Sequence, residues 1–167
     1  ESGQATAGPG PLLPGGFYRE TTWKDDLAFG AVMLWRVTGD VTYRDEAAAY
    51  LTGLAADELA WSNTAPLAGA DLCGALGHPA AGNPPIRTLG CNVLAASAQG
   101  ALDAFTVNSP WGTPGWFGWG HSGSNGAQGA IAELATRGGV ASLHHVATRA
   151  RDWMLGENPW GVSFVVG

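Results

Sequence analysis

The sequence predicts an all-α protein of about six helices joined by irregular loops. Three observations support this prediction: apolar residues recur at helical spacing in six stretches, clusters of Gly and Pro separate those stretches, and no stretch is typical of a strand. Successive helices joined by such loops are expected to pack as antiparallel pairs. Residues 1–16 are rich in Gly, Pro and Ala and are expected to form a loop-like segment.

The first predicted helix covers residues 25–38. Asp25 and Asp26 favour the positive N-terminal end of a helix, and Gly39 is expected to end it. Apolar residues cover nearly all of its sides, so we expect the helix to be buried. Those residues are Leu27, Phe29, Ala31, Val32, Met33, Leu34 and Trp35.

The second predicted helix has Thr42 and Asp45 as its candidate capping residues, and an apolar stripe carries it to about residue 59. The four remaining helices have stripes of the same kind. They cover residues 66–76, 90–106, 125–136 and 141–155.

Gly and Pro mark the predicted connections. Residues 77–88 hold three Pro and two Gly, and residues 107–123 are rich in Trp, Gly, Pro and Ser, so both are expected to be loops. Gly138 and Gly139 break the fifth helix. Gly156 is expected to end the last helix in a left-handed conformation.

Composition limits the classes of function. The 167 residues include 8 basic and 14 acidic ones, giving a formal net charge of −6, and no basic run favours nucleic acid. No apolar run reaches the roughly 18 residues of a membrane span. No cofactor is indicated. The first residue is Glu1 and no signal peptide precedes it, so we expect a chain that was processed or excerpted at its start.

Cys73 and Cys91 leave three alternatives open. They can be reduced buried thiols, or a disulfide that closes a loop of about 19 residues and stabilises the fold by roughly 3 kcal/mol. A metal site is the least favoured alternative, because Cys-x4-His-x12-Cys through His78 fits no common zinc spacing.

The C-terminal residues carry the most specific motif. Residues 155–167, Leu-Gly-Glu-Asn-Pro-Trp-Gly-Val-Ser-Phe-Val-Val-Gly, resemble the segment Leu-Gly-x-Asn-Pro-x-Gly-x-Ser-(Tyr/Phe)-Val-x-Gly of family 9 glycoside hydrolases, the inverting cellulases. Three further stretches resemble that family in the right order: the aromatic and acidic residues within 17–43, Trp61, and the Trp- and Gly-rich residues of 113–125. Together these stretches span most of the chain.

The resemblance implies an (α/α)6 barrel, of which six helices would form about half, so that residues 1–167 would be a single partial domain. It also implies inverting hydrolysis of β-1,4-glucan. In that mechanism one carboxylic acid protonates the leaving oxygen and a carboxylate on the opposite face activates water. The expected partners are a polysaccharide or oligosaccharide substrate and the other half of the barrel, and the protein is expected to be secreted.

The resemblance also implies part of a substrate cleft. Six residues are candidate substrate contacts: Tyr18, Trp61, Trp116, Trp119, His121 and Asn125. Tyr18, Trp61 and Trp119 match positions where the family lines its sugar subsites with aromatic rings, whose flat faces meet the C–H bonds of glucose. Packing in the core is the alternative role for these aromatic residues.

No catalytic residue can be assigned in this way. The family's base comes from an Asp-Ala-Gly-Asp motif, of which Gly69-Ala70-Asp71 is only an echo, and its acid would follow residue 167. Its His/Arg cluster also follows the Val-Gly segment, whereas His144, His145 and Arg149 precede that segment. These three residues are expected on a partly exposed helix face.

Departures from the family pattern leave alternatives open. Asp25-Asp26-Leu27 stands where the family has Asp-Glu-Leu, Ser62 replaces an acidic residue, and residues 121–123 interrupt Trp-Gly-Ser-Asn. The chain would then be a divergent member whose substrate can differ from cellulose. A non-catalytic helical domain that binds carbohydrate or has a structural role is the second interpretation, and a different (α/α) barrel family is the third.

Overall fold

The computed structural model describes residues 22–56, 58–77, 83–107 and 121–165, and within these ranges it contains six α-helices and no strand. The helices are α1 (Lys24–Thr38), α2 (Val41–Leu51), α3 (Ala65–Cys73), α4 (Pro84–Val107), α5 (His121–Arg137) and α6 (His144–Leu155). The prediction of an all-α chain with six helices is therefore confirmed.

Contacts between the helices follow the order of the chain. The helices pack as α1 on α2, α3 on α4 and α5 on α6, and contacts of α1 with α3 and of α4 with α5 join these pairs. One apolar core lies between α1, α2 and α3 around Trp35, and a second lies among α3, α4, α5 and α6 around Leu94 and Ile131. Within the described part of the chain, no helix is both long and apolar enough to cross a membrane.

The bounds of α1 agree with the prediction, but its complete burial does not. Gly39 has a φ of 73° and donates its N–H to the carbonyl of Trp35 at 2.8 Å, which ends the helix as expected. Leu27 and Leu34, however, are 41% and 48% exposed. Among the described residues, α1 packs mainly against α2 and α3. These two helices cover part of its apolar surface and leave Leu27 and Leu34 partly exposed.

The cap and the end of α2 also differ from the prediction. Asp40, rather than Thr42 or Asp45, caps the helix, because its Oδ1 accepts the N–H of Thr42 at 2.9 Å. This hydrogen bond holds the pKa of Asp40 below its ordinary value. The helix ends at Leu51 rather than near residue 59, because Thr52 is extended and Gly53 then takes a φ of 79°.

The start of α4 corrects the predicted loop over residues 77–88. The helix begins at Pro84, and proline is well tolerated in a first turn, where the N–H groups have no partner within the helix. The side chain of Asn83 accepts the N–H of Ile86 at 3.3 Å and so caps this turn. The prolines therefore start the helix, while residues 78–82 lie outside the described residues.

Two glycines allow a close crossing of α3 and α4. A Cβ atom on Gly90 would lie 2.6 Å from the Cβ of Leu72, and Gly69 lies in a similarly tight contact. Beside this crossing, Cys73 and Cys91 form a disulfide. The disulfide alternative is therefore confirmed, and the interpretations as reduced thiols and as metal ligands are wrong.

The last two helices begin at other residues than predicted. α5 starts at His121 rather than near residue 125, and α6 starts at His144 rather than near residue 141. Gly139 and Gly156, with φ values of 69° and 129°, follow the two helices as expected. Of the predicted aromatic loop, residues 108–120 lie outside the described residues.

Candidate substrate-binding site

The structure brings together two of the six candidate substrate contacts. His121 and Asn125 lie one turn apart at the start of α5, on its side facing α6. Trp61 lies in the turn between α2 and α3, which a bridge between Ala60 and Asn63 closes, and it is 59% exposed. The three others lie outside the described residues: Tyr18, Trp116 and Trp119.

Buried polar atoms collect at the start of α5. Asn125 is fully buried, and its Nδ2 donates to the carbonyl of Ala150 in α6 at 2.8 Å. Among the described residues, neither Asn125 Oδ1 nor the Oε1 of the nearby buried Gln128 has a hydrogen-bond partner. An unsatisfied buried acceptor costs about 1–3 kcal/mol, so these oxygens are suited to accept from a water molecule or a hydroxyl group. The role of Asn125 as a substrate contact stays a prediction.

Four rings meet where α5 begins and α6 ends, and we call them the aromatic cluster: His121, Trp153, Trp160 and Phe164. Trp153 is buried at the centre. Its ring centroid lies 4.7 Å from that of His121, 5.2 Å from that of Phe164 and 6.3 Å from that of Trp160. Of these four residues, only His121 is predicted from the sequence as a substrate contact. Trp160 and Phe164 belong to the C-terminal motif and Trp153 lies just before it, but the sequence does not show that these rings pack against His121.

The loop after α6 is fixed by the side chain of Asn158. Its Nδ2 donates to the carbonyls of Trp153 at 2.8 Å and Val162 at 2.7 Å, and its Oδ1 accepts the N–H of Trp160 at 3.1 Å. The N–H of Phe164 donates to the last turn of α6 at 2.9 Å. These bonds fold the loop back on the helix, so that the aromatic cluster has a rigid base.

A cleft of about 430 Å³ lies between α5 and α6. The volume is within the range of small-molecule sites. Small and apolar residues from both helices form its walls, among them Gly126, Gly129, Ala130, Ala147 and Met154. The helices approach closely because residue 129 is glycine: a Cβ atom there would lie 2.6 Å from the Cβ of Ala150.

A charged network lies at the rim of this cleft. Arg137 Nε donates to Glu133 Oε1 at 3.0 Å, and His144 Nδ1 lies 3.0 Å from Glu133 Oε2. The hydrogen bond with His144, followed by that with Arg137, holds the pKa of Glu133 below its ordinary value. Through its contact with His144, Glu133 links α5 to α6.

The structure also places the His/Arg residues of α6 and the aspartate of α3 that the sequence analysis considered as possible catalytic groups. His144, His145 and Arg149 lie on an exposed helix face, as expected. Asp71, the carboxylate in the echo of the Asp-Ala-Gly-Asp motif, is fully buried and accepts from Arg36 Nη1 at 3.0 Å, which joins α3 to α1. In the described ranges, no three His, Cys, Asp or Glu side chains gather in a way that could hold a metal ion.

Comparisons with known proteins agree with this architecture. The model of glycosyl hydrolase family 9 matches residues 3–167. No curated protein matches the chain significantly. A single mutant of the thermostable endoglucanase from Alicyclobacillus acidocaldarius is 28% identical, with a TM-score of 0.72 over 96% of this chain and 30% of that one. AaCel9A, solved in complex with cellobiose-like isofagomine, is also 28% identical, with a TM-score of 0.69 over 93% and 30% of the two chains. The chain therefore spans about 30% of the length of these solved structures.

Proposed function

Because the chain belongs to glycosyl hydrolase family 9, we propose that the protein hydrolyses β-1,4-glucan with inversion at the anomeric carbon. The observation that carries the proposal is the similarity of nearly the whole chain to an endoglucanase, at a TM-score of 0.72. A second relative was solved with a cellobiose-like compound, which supports a carbohydrate substrate. Fold similarity alone does not fix chemistry, so the activity needs a direct test.

The chain's part in this activity is to supply one portion of a longer (α/α)6 barrel and of its substrate cleft. Apolar side chains are exposed to solvent on the first helix, α1, and at the end of the last helix, α6. Leu27, Leu34 and Val37 are exposed on α1, and Leu155 and Val165 are exposed at or after the end of α6. Exposed apolar surface of this kind favours further packing partners, such as the remaining helices of a barrel.

The stereochemistry of the product tests the proposed reaction. The full-length protein would be given cellohexaose, and the anomers released first would be followed by proton NMR. Inversion of a β-linkage yields the α-anomer before mutarotation, whereas early β-anomer would contradict the mechanism. Binding without hydrolysis would instead support the non-catalytic interpretation. The 167-residue chain alone should not turn over, because no acid and base pair is assigned in it.

The cleft role is tested at Trp119. If its ring stacks on a glucosyl unit, Trp119→Ala should weaken cello-oligosaccharide binding by about 1–3 kcal/mol, by analogy with the stacking of planar bases on aromatic side chains. The melting temperature should change little. If the ring instead packs in the core, the same change should cost about 3–5 kcal/mol of stability. Calorimetric titration and thermal unfolding of one variant separate these roles.

Secretion is part of the proposal. The disulfide between Cys73 and Cys91 supports it, because disulfides persist in oxidising compartments and are rare in the cytosol. Immunodetection of the native protein in the culture medium tests this point, and its retention in the cytosol would contradict it.

A further inference from the structure

We propose that Trp160 provides a stacking surface for a glucose ring of a β-glucan chain, in addition to the candidate contacts predicted from the sequence. The proposal rests on the proposed function for the class of substrate. Trp160 is 63% exposed, although tryptophan is among the side chains with most apolar surface to bury. Phe164, which contacts the Trp160 ring, is also exposed, and adjoining exposed apolar side chains are typical of an interaction surface.

The indole ring is exposed but held in place. Its neighbours Trp153 and Phe164 meet it at interplanar angles of 84° and 68°, so neither stacks parallel on it. The backbone N–H of Trp160 donates to Asn158 Oδ1, and the Asn158 amide ties both sides of the loop together. A ligand that stacks on a fixed ring loses less free energy to ordering than one that stacks on a mobile ring.

The chemistry of the surface fits a neutral sugar. A flat indole face contacts the C–H bonds of a pyranose, while the hydroxyl groups need polar partners at the ring edge. Glu157, three residues before Trp160 in the loop, lies 3.5 Å from Arg149 Nη1 of α6, so an acceptor and a donor are present where the loop begins. The net charge of −6 disfavours a polyanionic ligand.

Binding of cellohexaose to variants of the full-length protein tests the proposal. Trp160→Ala should weaken binding about 5-fold to 150-fold, by analogy with the loss of one base stacked on an aromatic side chain. Trp160→Phe keeps a ring and should lose less. Val162→Ala is the matched control, because Val162 is 51% exposed in the same loop and should leave affinity within about twofold.

Asn158→Ala separates the ring from its support. This variant keeps the indole but removes the bonds that fix the loop, so its affinity should fall between those of the wild type and Trp160→Ala. Affinity of Trp160→Ala equal to that of the wild type would overturn the proposal, whatever the affinity of Asn158→Ala.

Oxidation of the wild-type protein gives a second test that does not depend on the folding of a variant. N-bromosuccinimide should oxidise the exposed Trp160, as read by peptide mass spectrometry, and cellohexaose should slow this reaction. The buried Trp153 serves as the internal control. A Trp160 that resists oxidation without sugar is covered by protein, and a Trp160 oxidised equally with saturating sugar has no sugar on it; either result overturns the proposal.

Failure of the Trp160 proposal can be distinguished from failure of the proposed hydrolysis. If the protein binds cellohexaose through Trp160 but does not hydrolyse it, the stacking surface stands and the proposed reaction fails. If hydrolysis occurs and Trp160→Ala binds like the wild type, the proposed reaction stands and the stacking surface fails. A protein that binds no β-glucan overturns both.

Discussion

Replacement of Gly129 by alanine tests the geometry of the α5–α6 pair most directly. The added Cβ atom would lie 2.6 Å from the Cβ of Ala150, whereas carbon atoms in contact prefer about 3.5–4.0 Å. The helices must therefore separate by about 1 Å at this point. Overpacking of this kind costs about 1–3 kcal/mol, while alanine gains about 1 kcal/mol over glycine as a helix former. We expect a net loss of up to about 2 kcal/mol in the free energy of unfolding.

Gly123 provides the matched control in the same helix. It is exposed, and no atom lies within 4 Å of a Cβ atom built on it. Gly123→Ala should therefore leave the stability unchanged or raise it by up to about 1 kcal/mol. Urea unfolding of the full-length protein, followed by tryptophan fluorescence and circular dichroism, would measure both variants.

A double-mutant cycle identifies the cause of the loss. Ala150→Gly removes the atom with which the new methyl group collides, so Gly129→Ala should cost less in that background. A coupling energy above about 1 kcal/mol is expected for two residues in direct contact. Equal stability of Gly129→Ala and Gly123→Ala, with additive effects in the cycle, would refute the close approach of α5 and α6.

Three further predictions concern the cap, the disulfide and the charged rim. Asp40→Ala should lower the melting temperature by a few degrees because α2 loses its cap, whereas Thr42→Ala, which keeps the N–H and loses only the hydroxyl contact with Asp40, should lower it less. Replacement of Cys73 and Cys91 by serine should cost about 3 kcal/mol and make the stability insensitive to dithiothreitol. The folded pKa of Glu133 lies below its ordinary 4.5, so its contribution to stability is present above that value and is lost as the pH falls through the folded pKa. Glu133→Gln should remove this part of the acid dependence in unfolding followed by calorimetry.

The sequence predicts the helices well because helix periodicity is a local property. Gly39 and Gly156 end α1 and α6 as expected, since a left-handed residue is most easily a glycine. The start of α4 is mispredicted because a pair of prolines can either interrupt a helix or begin one. Pro84 and the residue after it break a helix in its interior but are tolerated in its first turn, and only the Asn83 cap distinguishes the two cases.

The candidate site is less predictable because its contacts join distant residues. Periodicity places Trp153 on the buried face of α6, but it does not indicate that the ring lies 4.7 Å from His121, which is 32 residues earlier in the chain. The same holds for Gly129, which is an ordinary helix residue in sequence and a contact point in the structure. Such pairings are set by tertiary packing.

The motif that identifies the family is mainly a folding device. Asn158 uses both amide hydrogens and its oxygen to satisfy three backbone groups, and a residue with another side chain cannot replace all three bonds. Gly161, with a φ of 63°, allows the chain to turn back towards α6. These residues would be needed for the loop whether or not the protein cleaves sugars. The resemblance at this motif therefore supports the fold more strongly than the chemistry, and the chemistry depends on the measurements at Trp119 and Trp160 and on the anomer released from cellohexaose.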